Sequence, residues 1–163
     1  MPVTIMRIDD RLIHGQIITR WIAEAQADMI LVADNQAAID PTQQMLLKLV
    51  TPANIELQIK SIEDAVQLLI LESVNCKKIL LMVRNPESAL KMQENGLSID
   101  TINVGNISNT KSVTGRKKLL PFIFVEEQDV VCLRGLAKAG IKLDVRAVPN
   151  DKSIDAVELL QKY

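Results

Sequence analysis

The stretch Val3-Thr4-Ile5-Met6-Arg7-Ile8 is an apolar run of strand length, closed by the polar Asp9-Asp10-Arg11. From about Gly15 to Ala25, Ile17, Ile18, Trp21 and Ile22 then recur at helical spacing. Together these make one strand-to-helix unit, and the same alternation runs along the rest of the chain. Residues 29–33 read as a second strand, and Asp40-Pro41 opens a helix through Leu49, a polar cap followed by proline in the first turn. Residues 55–59 return to strand, and Ser61 with Asp64 three positions on starts a helix to about Ser73. Residues 78–83 form a buried strand, Pro86 begins a helix that stops before Gly96, and residues 101–104, 121–125 and 142–148 are further strands. Helices over 127–139, closed by Gly140, and 153–162 complete the pattern. Strands that alternate with helices of this length predict an α/β fold: an open, mostly parallel sheet of about seven strands, with about six helices spread over both faces. Ligands of such sheets collect outside the carboxyl ends of the strands, which directs attention to the loops after Ile8, Ala33, Val83 and Val104.

The chain has 163 residues, 48% of them hydrophobic and 24% charged, enough for one substantial core, so residues 1–163 are expected to form one domain. A formal charge of −1 gives no field that would draw the protein to nucleic acid. No apolar stretch approaches bilayer length, and the short run at the start lacks a preceding basic region, so a cytoplasmic protein is expected. Cys76 and Cys132 lie far apart without metal-site or redox spacing, and both read as reduced, buried thiols. Neither a G-x-G-x-x-G after a strand nor a phosphate-loop motif occurs.

The loop between the first strand and first helix holds the only histidine, His14. A neutral imidazole is a good nucleophile toward phosphorus near neutral pH. Arg11 or Arg7 would supply a guanidinium for the equatorial oxygens of a transferring phosphoryl group, and the helix start near Gly15 would add backbone N–H donors. Gly15 leaves room for close backbone approach, and Asp10 is placed to orient the imidazole or to hold an arginine. The residues alone leave a second reading open, in which His14 is a solvated or capping side chain and Asp9 and Asp10 are turn and cap residues. Trp21 reads as core rather than as a platform for ligand stacking.

The segment Arg7-Ile8-Asp9-Asp10-Arg11-Leu12-Ile13-His14-Gly15-Gln16, followed by Trp21, resembles the active-site signature of the IIB components of the mannose, fructose, sorbose and N-acetylgalactosamine phosphotransferase family. Val32-Ala33-Asp34-Asn35, Asn103-Val104-Gly105-Asn106, Val125-Glu126-Glu127 and Val148-Pro149 follow in the family's order. The chain departs from the family at Asn106-Ile107, where Gly-Met is common. The resemblance implies a phosphotransferase subunit. In it His14 takes a phosphoryl group from a IIA protein's phosphohistidine and passes it to a sugar bound by membrane IIC and IID components, with no metal or nucleotide cofactor. It implies a phosphoryl-stabilising role for Arg11 and supporting roles for Asp10 and Gln16, in a cytoplasmic protein held peripherally at the permease. Two rivals are a non-catalytic relative that only binds such partners and a flavodoxin-like small-molecule binder. The cluster Lys111, Arg116, Lys117 and Lys118 reads as a docking rim for a partner if it lies on the edge that carries His14.

Overall fold

The computed structural model describes residues 2–71, 76–107 and 115–163. Its strands are β1 (Val3–Ile8), β2 (Met29–Ala33), β3 (Glu56–Lys60), β4 (Ile79–Val83), β5 (Thr101–Val104), β6 (Lys117–Leu120), β7 (Ile123–Val125), β8 (Lys142–Val145) and β9 (Ile154–Asp155). Its helices are α1 (Ile22–Ala25), α2 (Asn35–Ile39), α3 (Pro41–Val50), α4 (Ile62–Ile70), α5 (Pro86–Glu94), α6 (Glu127–Lys138) and α7 (Ala156–Leu160), with a π-helical segment, Ile17–Trp21, leading into α1. The main sheet has seven strands in the order β3-β2-β4-β1-β5-β8-β9, parallel except for β9, so β1 occupies its centre.

Pleating sends alternate side chains to opposite faces and so builds two cores. On one face Ile30, Val32, Leu80 and Met82 pack with Ile17 and Trp21 of the π segment and Leu47 of α3. On the other, Met29, Leu31, Leu81 and Val83 pack beneath α4, α5, α6 and α7. The helices begin where the sequence provides caps. Asp40 accepts from the N–H groups of Thr42 and Gln43 with Pro41 in the first turn, Ser61 accepts from Asp64 N–H, and Asn85 accepts from Ser88 N–H. Gly140 ends α6 at φ +88°, a conformation that disfavours any residue with a Cβ.

Seven strands in the main sheet match the expected number, but the membership differs. The run expected as strand 121–125 is split off as β7, which pairs antiparallel with β6 in a separate hairpin. β6 itself takes in Lys117 and Lys118 of the basic cluster, a stretch not expected to be strand. The seventh place in the sheet goes to β9, cut from the start of the expected last helix, where Ile154 pairs with Val145 before Asp155 caps α7. The strand expected to reach residue 148 ends at Val145, because Asp151 takes the N–H groups of Ala147 and Val148 into a turn. The five-residue α2, capped by Asp34, was too short to show in the sequence pattern. The expected helix end at Ser73 lies outside the described residues. Cys132 is buried and its thiol is pushed up by that burial, whereas Cys76 is exposed rather than buried. Among the described residues no helix is long and apolar enough to cross a membrane.

Candidate functional site

At the carboxyl end of β1 the strand ladder continues into the loop. Asp9 N–H reaches Val83 O at 2.9 Å, Asp10 N–H reaches Asn106 O at 3.0 Å, and Gly105 N–H reaches Ile8 O at 2.8 Å. The ends of β4, β1 and β5 are thus drawn together around Asp9 and Asp10. The chain then turns sharply. Arg11 N–H bonds the Asp9 carboxylate at 3.0 Å, Leu12 N–H bonds the Asp9 carbonyl at 3.0 Å, and Leu12 adopts a left-handed φ of +55°. That conformation is uncommon for a branched side chain, and Leu12 and Ile13 secure it by being buried in the core beneath α3. The next residue, His14, opens the helix, its carbonyl accepting from both Ile17 and Ile18 N–H at 3.0 and 3.1 Å. The π segment that follows is of a kind that collects at functional sites.

Beneath this loop lies a buried polar network. Arg7 points away from the face that takes Met6 and Ile8, is fully buried, and stacks its guanidinium 4.7 Å from the ring centroid of Trp21. Nε donates to Asp9 Oδ2 at 3.3 Å; Nη1 donates to Asn103 Oδ1 and to Arg146 O; Nη2 donates to Ala147 O at 3.1 Å and lies 3.2 Å from Asp9 Oδ2. Trp21 Nε1 donates to the same Ala147 carbonyl at 3.0 Å, and Arg146 lies against the ring from another side. Asp9 Oδ2 in turn receives Asn106 Nδ2 at 3.0 Å and lies 2.7 Å from His14 Nε2. Burial pushes the Asp9 carboxyl upward, but its bond to His14 and the charge on Arg7 outweigh burial and hold it below the ordinary range. Burial lowers Arg7 in turn, opposed by Asp9.

The structure sorts the residues nominated by sequence. The carboxylate on the imidazole belongs to Asp9, a residue read only as a turn or cap. Asp10, expected either to orient the imidazole or to hold an arginine, receives Arg84 Nη1 at its carbonyl at 3.4 Å. Arg7, expected as one possible phosphoryl clamp, has all its N–H groups committed inside the protein. Arg11 is exposed beside His14, as are Gly15 and Gln16, and a Cβ on Gly15 would meet nothing within 4 Å. The glycine that matters sterically is Gly105: a Cβ there would stand 2.7 Å from Arg7 Nη1 and closer still to Cζ and Nη2. Arg84, at the end of β4, was not picked out. It is held by Asp34 through Nε at 3.2 Å and Nη2 at 2.9 Å and by Gln43 Oε1 at 2.8 Å. The strand-end rule that flagged the loops after Ala33 and Val83 was the signal that could have found both Asp34 and Arg84.

The basic cluster is dispersed. Lys111 lies outside the described residues, Arg116 pairs with Glu126 at 3.6 Å, Lys117 donates to the carbonyls of Lys162 and Tyr163, and Lys118 lies over the Phe124 ring. Its hairpin does join the carboxyl edge of the sheet, through the bridge between Ile107 and Ile123. Among the described residues no group of His, Cys, Asp and Glu is arranged to hold a metal ion.

A lone histidine held by a buried aspartate thus stands at the carboxyl end of the central strand of a mostly parallel α/β sheet. The family model described as the sorbose-subfamily IIB component of the phosphotransferase system matches residues 3–163. The fructose-specific EIIB component of Bacillus subtilis is 32% identical over 161 residues, covering 99% of this chain and 97% of that one. The solved IIB domain of the sorbose permease from Klebsiella pneumoniae superposes with a TM-score of 0.92 at 31% identity, covering 99% of this chain and 98% of that one. The mannose-specific EIIAB component of Escherichia coli is 28% identical over 99% of this chain, which spans 49% of that longer protein. The chain belongs to the sorbose-subfamily IIB components of the phosphotransferase system, sugar-transport proteins that act in phosphoryl transfer.

Two predictions follow from the network. Gly105→Ala should cost about 1–3 kcal/mol in thermal or urea unfolding, because the buried guanidinium and the packed strand end leave the new methyl no room. Asp9→Asn should cost about 3–5 kcal/mol at neutral pH, since it leaves Arg7 buried without its counter-charge. A folded-state carboxyl held below its ordinary value means that the unfolded chain binds the proton more readily. This contribution is therefore present above the ordinary aspartate value of 3.8 and is lost as pH falls below it. Urea titrations of the wild type should lose stability across that acidic window, and Asp9→Asn should lose less.

Proposed function

We propose that the protein is a phosphocarrier: His14 accepts a phosphoryl group from a phosphorylated IIA protein and passes it to a sugar handled by membrane IIC and IID components. The observation that carries this reading is the 2.7 Å contact between His14 Nε2 and Asp9 Oδ2. A carboxylate held ionised has no proton to give, so the hydrogen belongs to Nε2 and the lone pair to Nδ1. Among the described residues no hydrogen bond is made by Nδ1. Nδ1 attacks the phosphorus of the donor in line, and the P–Nδ1 bond forms as the donor's P–N bond breaks. The ring keeps its Nε2 proton and becomes cationic, and Asp9 lies against that charge. On discharge the sugar hydroxyl oxygen forms the P–O bond while P–Nδ1 breaks, the hydroxyl proton is released to solvent, and the ring returns to its neutral form with its proton on Nε2.

Asp9 positions the ring, and Arg7 and Asn106 position Asp9. Arg11, on the exposed lip of the loop, answers the charge on the phosphoryl oxygens, with Gly15 and Gln16 leaving space beside it. Asp10 links the loop to Arg84. The match to half of a mannose EIIAB protein supports a IIA donor. Work at the inner face of a membrane permease accounts for a chain without a membrane-spanning helix among its described residues. The test is incubation with phosphoenolpyruvate, the general phosphotransferase proteins and a matching IIA protein. The wild type should gain one acid-labile, base-stable phosphoryl group at His14, and His14→Ala should gain none. Arg11→Ala should keep the wild-type melting temperature but transfer at least about tenfold more slowly, with Arg11→Lys only partly restored because an ammonium cannot grip two oxygens in one plane. Label on Cys76 would overturn the reading.

A further inference from the structure

Beside the loop that carries His14 runs an apolar stripe used neither by the fold nor by the chemistry above. α3 buries Leu47 but presents Leu46, Leu49 and Val50 outward, with 55%, 74% and 42% of their surface exposed. Their spacing places all three on one stripe of the helix. The stripe forms one wall of a groove of about 330 Å³, whose floor is Leu12 and Ile13 and whose lip carries Arg11 and Arg84. Exposed apolar side chains that cluster beside a reactive loop, rather than scatter singly, are a feature of interaction sites. Arg84 is fixed at that lip by Asp34 and Gln43, so its position is set before any partner arrives.

We infer that this groove is the docking surface for the phosphohistidine-bearing donor protein, which seats an apolar projection against Leu46 and Leu49 and brings its phosphoryl group to the exposed Arg11. The proposal rests on the carrier reading of His14 and extends it by naming the surface. Three observations select this occupant. The floor of the groove is the same Leu12-Ile13 segment that delivers His14, so a partner seated there lies next to the loop that carries the imidazole. The lip carries the exposed guanidinium of Arg11, beside an Arg84 whose charge Asp34 already answers, and Arg11 complements a partner that arrives with the phosphate and loses that complementarity once the phosphate has moved, favouring release. The groove is small and shallow, as befits an encounter that must be brief. The alternatives match less well. A membrane-surface helix would carry aromatic anchors and several cations, whereas α3 has no aromatic residue and one lysine. A second copy would set one exposed Arg11 against another, with no phosphate between them.

The test is the double variant Leu46→Ser, Leu49→Ser, whose exposed side chains can change without opening the core. With a IIA protein that phosphorylates the wild type, the KM for the phosphorylated donor should rise about tenfold or more. The maximal transfer rate, the melting temperature and the rate of sugar phosphorylation from variant already carrying phosphate should all stay within about twofold of wild type. An unchanged KM, or a loss confined to the sugar step, overturns the proposal, the latter because it would give the groove to the permease. Binding of the wild type to anionic vesicles, or self-association, that is abolished in the variant overturns it equally. The carrier reading fails separately, by absence of label at His14. Unphosphorylated IIA protein added to His14→Ala tests the groove with no phosphoryl chemistry. The methyl resonances of Leu46, Leu49 and Val50 should shift, and shifts confined to other methyls would overturn the docking surface.

Discussion

A guanidinium with no exposed surface is tolerable only where every N–H is answered, and Arg7 meets that demand by drawing on four separate stretches of chain. Asp9 comes from its own strand, Asn103 from β5, the carbonyls of Arg146 and Ala147 from beyond β8, and the Trp21 ring from the π segment. Each of these stretches also carries part of the site or its support, so satisfying one buried charge brings the active loop together. Gly105 lies next to the guanidinium because any side chain there would overlap it. The ion pair with Asp9 has a second consequence: it keeps Asp9 ionised in a buried setting, which is what allows the carboxylate to fix the imidazole.

The turn after Asp9 converts that fixed carboxylate into a directed histidine. One carboxylate oxygen takes Arg11 N–H while the other takes His14 Nε2, and Leu12 accepts a left-handed backbone in exchange for burial beneath α3. The strain of the turn is held by apolar packing on one face of the sheet, and the charge of the site is held by the polar network beneath the loop. The same α3 that covers Leu12 and Ile13 presents its outer stripe to solvent, so the helix that stabilises the loop also adjoins the surface at which a partner would meet it.

Much of the architecture was legible because it rests on periodicity and caps. The runs at 29–33 and 79–83, apolar throughout, declare central parallel strands, and Asp40-Pro41, Ser61 and Asn85-Pro86 announce their helices. Elements set by tertiary pairing were not legible. Ile154 is a strand residue only because Val145 ends beside it, and Lys117 and Lys118 gave no strand signal because their strand exists only through pairing with β7. In the site, the sequence pointed to His14 and its loop but left open which acid meets the ring: Asp9 and Asp10 are adjacent, and only the strand register decides which one turns toward His14. Arg7 carried the opposite ambiguity, since a cation near a histidine suggests a phosphate ligand until its burial on Trp21 is seen.

The central claim is that Asp9 holds the His14 ring with its proton on Nε2 and its lone pair on Nδ1. Nitrogen-15 chemical shifts of the single histidine, measured in the unphosphorylated protein at a pH where the ring is neutral, report this directly. The account predicts a protonated, pyrrole-type Nε2 and an unprotonated, pyridine-type Nδ1, with Asp9→Ala moving the ring toward a mixture of the two tautomers. A ring that carries its proton on Nδ1 in the wild type, or a tautomer unaffected by loss of Asp9, would contradict it.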